Sequence, residues 1–353
     1  MNPVLALARP DILQLQPYSH AAWMPSLTRL HANEAPWRPP GDATAAGLNR
    51  YPEPQPKALV ARLSELYGVP AEMLLVGRGS DEAIDLLSRI YLRAGSDSIL
   101  QCPPTFGMYR VAAHIQGAGV VDVPLERGRG WRLDPGRLLA AWRPPMKIVY
   151  LCSPNNPTAN AFELEAIEAV CVALDGKAIV AIDEAYVEWS GRRSLAAWLE
   201  RFSTLAVLRT LSKAHALAGA RVGALLAHPD LIGLARRVIP PYSLAQPTIE
   251  AALRALEPDA LAAARVRIDA LIAERDHLGA RLARSPLVAK VWPSDANFLL
   301  VESEDADRFL RSSIAGGTLV RDLRAHPALP SALRVSVGTR AENDALIDSL
   351  EAA

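Results

Sequence analysis

Lys213 lies in the stretch Arg209-Thr210-Leu211-Ser212-Lys213-Ala214-His215-Ala216-Leu217-Ala218-Gly219-Ala220-Arg221, and it is one of only five lysines among 38 basic residues. A catalytic amine therefore has few candidates. Lys57 sits in a proline-rich turn, and Lys147, Lys177 and Lys290 each lead into an apolar run, as residues at the start of a strand do. Lys213 alone follows such a run, and in open α/β sheets the ligand site lies beyond the carboxyl ends of the strands. A lysine there, with Ser212 beside it and Arg221 eight residues on, suits a Schiff base to an aldehyde cofactor that also carries a phosphate. Spacing alone also permits a solvated loop lysine.

Other polar residues recur at the downstream ends of apolar runs. After Met73 to Val76 comes Gly77-Arg78-Gly79-Ser80-Asp81-Glu82, where small residues open a helix whose unpaired N–H groups suit a phosphate. The carboxylates of Asp81 and Glu82 would repel an anion, so they must point away or perform another task, or else they only favour the helix dipole. The loop fits neither the Walker pattern nor the Gly-x-Gly-x-x-Gly fingerprint. Asp183 follows Ala178 to Ile182, with Tyr186 three residues on. That carboxylate suits a protonated pyridine nitrogen and the phenol a ring oxygen, or the pair is a helix cap and a buried tyrosine. Phe106 is either a stacking platform for a flat ring or plain core. The turn Ser153 to Thr158, with Asn156 at its centre, offers amides at the same edge, although turn chemistry alone would explain it.

The chain of 353 residues allows roughly two domains. Short apolar runs alternate with amphipathic ones, the pattern of a largely parallel sheet covered by helices. Strands are expected at Met73–Val76, Ser98–Gln101, Lys147–Leu151, Ala178–Ile182, Leu205–Leu208 and Val222–Leu226, with helices at Asp81–Leu92 and Leu195–Arg201. A helical pattern from Thr248, broken near Pro258, runs to about Arg284. Strands at Val288–Val291, Asn297–Val301 and Leu333–Val337, with a helix at Ala306–Ser313, then suggest a smaller α+β unit. The expected division is an arm over 1–30, a large domain over 31–245 and a small domain over 246–353. Acidic and basic residues are equal at 38 each, which gives no whole-chain attraction for nucleic acid or anionic membrane. Cys102, Cys152 and Cys171 are odd in number and fit neither a zinc site nor a disulfide framework. With no basic, apolar leader in Met1 to Pro10 and no membrane-length run, a cytoplasmic protein is expected.

Taken in order, eight motifs carry a resemblance. They are Leu30 to Pro36, Arg50 to Pro56, Gly79 to Glu82, Cys102 to Tyr109, Ser153 to Thr158, Asp183 to Tyr186, Ser212-Lys213 and Leu333 to Arg340. The chain resembles the fold-type I pyridoxal phosphate enzymes, most closely the histidinol-phosphate aminotransferases, from about Leu15 to Arg340. The resemblance implies a large α/β domain with a mostly parallel sheet and a smaller α+β domain. It implies ping-pong transfer of the amino group of histidinol phosphate to 2-oxoglutarate, giving imidazole acetol phosphate and glutamate in histidine biosynthesis. Lys213 would form the Schiff base and shuttle the proton, Asp183 would bond the cofactor's ring nitrogen, and Asn156 and Tyr186 its ring oxygen. Phe106 would stack on the ring, while Ser212, Arg221 and the backbone at Ser80 and Asp81 hold the phosphate. Tyr51 would reach the cofactor phosphate of the partner in a homodimer, and Tyr18, Arg321 and Arg334 would grip the far end of the substrate. An aromatic aminotransferase or a threonine-phosphate decarboxylase on the same scaffold would share the cofactor motifs, and a non-catalytic α/β binding protein would need none of them. Two positions depart from the family: Ala159, where glycine is usual, requires a backbone angle that alanine tolerates, and His215 replaces an aromatic residue.

Overall fold

A computed structural model describes residues 2–24 and 26–352. Seven strands, β1 (Leu74–Gly77), β2 (Ser98–Gln101), β3 (Gly119–Asp122), β4 (Met146–Cys152), β5 (Ile179–Asp183), β6 (Leu205–Thr210) and β7 (Gly223–Ala227), form one sheet in the order β1-β7-β6-β5-β4-β2-β3. β3, β2, β4, β5 and β6 pair in parallel, while β7 runs antiparallel to both β6 and β1. Val180 and Ile182 of β5 enter one core, and Ile179 and Ala181 enter the other. A sheet covered on both faces needs apolar side chains on both, which is why these strands read as unbroken apolar runs. Since β1 and β6 both oppose β7, they point the same way. The downstream ends of β1, β2, β4, β5 and β6 therefore open on one edge, joined there by the upstream end of β7.

A second sheet, β8 (Val288–Val291), β9 (Phe298–Ser303), β10 (Arg321–Asp322) and β11 (Ala332–Ser336), is antiparallel in the order β10-β11-β9-β8. Its apolar side chains pack with Leu278 and Leu282 of the helix Pro258–Leu282, Phe309 of the helix Ala306–Ala315 and Leu346 of the helix Arg340–Glu351. The fold class is thus a largely parallel α/β sheet with a smaller α+β portion, as expected. No helix among the described residues is long and apolar enough to cross a membrane.

Three local expectations differ from the structure. Leu195–Arg201 is not an α-helix but a 3-10 turn over Leu195–Trp198. Its leading amides are held by the buried Glu184 carboxylate, at 2.6 Å from Leu195 N, and by Ser194 Oγ, and such turns rarely extend. Residues 3–14, which show no periodicity, contain the helices Pro3–Leu7 and Pro10–Gln14, whose Val4, Leu7 and Ile12 enter the second core. Each opens on proline, whose fixed φ suits a first helical position, but five residues are too few to display a period. Ala159 has φ +67°, the left-handed region that favours glycine.

The strain at Ala159 costs roughly 1–2 kcal/mol. Its buried methyl packs with Ala185, Tyr186 and Ala214 and contributes about 0.8 kcal/mol, and glycine would add roughly 0.4–1 kcal/mol of unfolded-state entropy. These terms nearly cancel. Ala159→Gly is expected to change unfolding free energy in a denaturant titration by less than about 1 kcal/mol. A larger gain would mean that the methyl packs poorly.

Candidate active site

The shared sheet edge encloses a cavity of about 480 Å³. It is lined by Ser80, Asp81, Phe106, Asn156, Asp183, Tyr186, Ser212, Lys213, Arg221, Arg321 and Arg334, so eleven of the thirteen residues singled out from the sequence converge there. At one end the helix Ser80–Tyr91 begins after Gly79, which has φ +82° and supplies no side-chain cap. A Cβ on Gly79 would lie 2.7 Å from the Arg221 guanidinium, and one on Gly223 would lie 2.5 Å from the Gly79 carbonyl carbon. Only glycine at both positions lets the guanidinium lie over the helix start. Arg221 donates to Ser212 Oγ at 3.1 Å and to Asp81 Oδ2 at 3.1 Å. Glu82 turns back, accepting from Arg78 N at 2.7 Å and from the Arg78 guanidinium. The two carboxylates that would repel an anion are therefore each engaged with an arginine, leaving free helix amides, a hydroxyl and a guanidinium as an anion seat.

Asp183 closes the opposite end. Fully buried, it accepts from the Tyr109 phenol at 2.8 Å and from Ala185 N at 3.1 Å. Burial pushes its carboxyl up to about 6 in spite of those two donors. Such a group is completed by a cation on the cavity side. Lys213 lies between the two ends, its Nζ 5.7 Å from the centroid of the Tyr186 ring. Burial, followed by the positive charges of Arg334 and Arg221, holds its amine below the ordinary lysine range, so more of it is neutral and nucleophilic at working pH.

The third wall comes from the small sheet. Arg321 of β10 and Arg334 of β11 are directly opposed in register and both line the cavity. Like charges facing across strands are unfavourable, and an anion between the two guanidinium groups would relieve that repulsion. Arg334 also donates to Asn156 Oδ1, and Asn156 Nδ2 donates to the Tyr186 oxygen at 3.3 Å. The turn carrying Asn156 is anchored by Asn155, whose amide donates to Pro104 O at 2.8 Å and to Thr158 Oγ1 at 2.7 Å. An anion seat, a nucleophilic amine, a platform at Phe106 and a carboxylate awaiting a cation fit the flat, phosphorylated pyridine aldehyde that the resemblance implies.

Tyr18 and Tyr51 are not brought to this cavity. Tyr18 is 70 % exposed and borders a separate hollow with His20, Trp23 and Glu53. Tyr51 stacks on Tyr242 at 4.5 Å, with its amide donating to Glu34 at 2.7 Å. Glu34 also accepts from Arg29 and Arg50, which joins the Leu30–Pro36 and Arg50–Pro56 motifs. Gln55 then pairs both ways with Val76, at 2.9 Å each, and covers the open edge of β1. His215 is partly buried against Glu188 and Arg209, and its ring is held below the ordinary histidine range by burial. It lies outside the cavity.

Sequence reasoning missed Tyr109, Cys152, Leu323, His326 and Leu329. Tyr109 had a signal: it lies three residues after Phe106, so a helix at Met108–Ile115 places it on the side facing β4 and β5. Nothing in the sequence marks His326, which enters through an irregular loop between β10 and β11.

This chain belongs to the class I and II aminotransferases, whose family pattern matches residues 31–350. Within that class it is similar to a histidinol-phosphate aminotransferase of Stenotrophomonas maltophilia (strain R551-3), 47 % identical over 356 residues, covering 100 % of this chain and 98 % of that relative. A histidinol-phosphate aminotransferase of Xanthomonas euvesicatoria pv. vesicatoria is 45 % identical over 354 residues, covering 99 % and 97 %. Among solved structures, the histidinol-phosphate aminotransferase of Sinorhizobium meliloti in complex with pyridoxal-5'-phosphate superposes with a TM-score of 0.76 at 26 % identity, covering 85 % of this chain and 82 % of that one.

Proposed function

We propose that this chain transfers the amino group of histidinol phosphate to 2-oxoglutarate with pyridoxal 5'-phosphate, a step of histidine biosynthesis. The observation that carries the reading is the opposed Arg321–Arg334 pair, which shares one cavity with Lys213 and with a separate anion seat. One anion site suits the cofactor phosphate and the other the distal group of the substrate. When bound, the cofactor supplies an electron sink for the substrate carbon that carries the amine. Lys213 Nζ would carry the proton between that substrate carbon and the cofactor's C4′, outward in the first half of the cycle and back in the second. Asp183 holds the cation on the ring nitrogen, Asn156 and Tyr186 fix the ring oxygen, and Phe106 lies against the ring. Ser212, Arg221 and the amides of Ser80 and Asp81 hold the phosphate. Planar guanidinium groups take phosphate and carboxylate in the same two-pronged geometry, so Arg334 and Arg321 can bind histidinol phosphate and then 2-oxoglutarate.

The working unit is a cytoplasmic homodimer in which Tyr51 of one protomer serves the partner's cofactor phosphate and Tyr18 closes over the substrate. Leu15, Met24, Leu27, Leu30 and Trp37, in the same N-terminal stretch as these tyrosines, are all exposed apolar side chains, which supports their being covered by a second copy. The division into arm (1–30), large domain (31–245) and small domain (246–353) places Arg321 and Arg334 on a part separate from Lys213. Steady-state rates with histidinol phosphate, phenylalanine and tyrosine as donors to 2-oxoglutarate test the reading, with carbon dioxide release from threonine phosphate measured alongside. Preference for an aromatic donor, or decarboxylation, would defeat it.

Arg334→Ala should lower kcat/KM for both substrates by about 10²-fold, since it removes a charge-assisted bidentate contact from each. Initial-rate kinetics check this. Wild-type efficiency with both would refute the assignment of Arg334.

A further inference from the structure

The Tyr109 phenol is the one side-chain donor to Asp183 recorded among the described residues. Tyr109 is fully buried, lies flat on Tyr150 at 4.5 Å between centroids with 3° between planes, and meets Phe106 edge-on at 5.6 Å. Those two ring contacts fix the plane of the phenol, and its O–H reaches Asp183 Oδ2 at 2.8 Å. Asp183 Oδ1 is oriented by the main chain, through Ala185 N, and Oδ2 by Tyr109.

We propose that Tyr109 is a positioning residue: its hydroxyl sets the basicity of Asp183 and thereby decides whether the proton between that carboxylate and the cofactor's ring nitrogen resides on the nitrogen. The proposal rests on the cofactor assignment above. Tyr109 and Tyr150, Cys152 on the neighbouring strand, Tyr186, Asp81 at the helix start and Lys213 are the titratable groups that face Asp183. Asp81 opposes a charge on Asp183 and Lys213 favours it. Burial keeps the Tyr109 phenol protonated well above the ordinary tyrosine range, so it donates at every working pH. A donor to the ionised carboxylate makes that carboxylate a weaker base. Without it Asp183 pulls the shared proton from the ring nitrogen, and the ring withdraws electrons less strongly.

Phenylalanine would keep both ring contacts and remove only the oxygen. Wild type and Tyr109→Phe are loaded with pyridoxal phosphate carrying ¹⁵N at the ring nitrogen, and its chemical shift is recorded from about pH 6 to pH 9. A protonated nitrogen is expected in wild type and a shift toward neutral pyridine in the variant. The cofactor dissociation constant should rise and kcat should fall by about tenfold each, with KM for both substrates changed by less than about threefold. In an Asp183→Asn background, where no carboxylate charge remains, adding Tyr109→Phe should change kcat by less than about twofold. The double variant separates a loss that runs through the Asp183 charge from a general disturbance of the site. An unchanged ¹⁵N shift, or an equal loss of kcat in both backgrounds, overturns the role of Tyr109. A wild-type chain that takes up no pyridoxal phosphate overturns the cofactor assignment and this role together.

Discussion

Replacing Lys213 by alanine is expected to lower transamination by about 10⁴-fold or more while leaving the fold intact, because both the covalent step and the proton transfer lose their amine. The side chain projects into the cavity from the segment after β6 and contributes little packing, so the melting temperature of the cofactor-free protein should move by no more than about 2 °C. Added small primary amines should restore part of the lost rate by carrying the proton in place of Lys213 Nζ. Full activity in Lys213→Ala would remove the lysine from the mechanism. A collapse of the melting temperature would instead make it a structural residue.

Asp183→Asn should move stability and catalysis in opposite directions. The folded carboxyl titrates at about 6, above the ordinary 3.8, so folding favours its protonated form. That contribution is complete below about pH 4 and is lost as pH rises through 6, where the buried carboxylate must ionise. At pH 8 the cofactor-free asparagine variant, which never ionises, should be more stable by up to about 3 kcal/mol, with the advantage gone by about pH 4. Turnover should fall about 10³-fold, since a neutral amide holds the ring-nitrogen cation poorly. Thermal unfolding across pH, set beside kcat, checks both signs. A variant less stable than wild type at pH 8 would show that the ionised carboxylate is better solvated than its burial suggests.

Legibility from the sequence followed sequence length and chemistry. Strands β2, β4, β5 and β6 were readable because a sheet covered on both faces demands unbroken apolar runs, and the polar residue ending each run fell at the shared edge. Lys213 and Asp183 were found in this way, Arg221 by its place eight residues after Lys213, and the order of motifs added Arg334 and Arg321. The convergence of β10 with β11 was not readable, because two residues at Arg321–Asp322 show no period. Tyr109 carries a local signal three residues after Phe106, but its partner Asp183 lies 74 residues away in sequence and nothing local ties the two together. β3 escaped notice because a half-exposed outer strand of four residues resembles a loop. The helix expected at Leu195–Arg201 failed because a buried carboxylate eleven residues upstream, Glu184, takes the amide that would have begun it. Contacts remote in sequence leave no local signature.

Adding histidinol phosphate to the purified, pyridoxal phosphate-loaded protein with no keto acid present, and following the visible absorbance of the cofactor, tests the central claim most directly. The account predicts loss of the visible band in one stoichiometric step and its return on adding 2-oxoglutarate, because Lys213, Asp183 and the Arg321–Arg334 pair serve both halves of the reaction. A band unmoved by histidinol phosphate but altered by phenylalanine or threonine phosphate would contradict it.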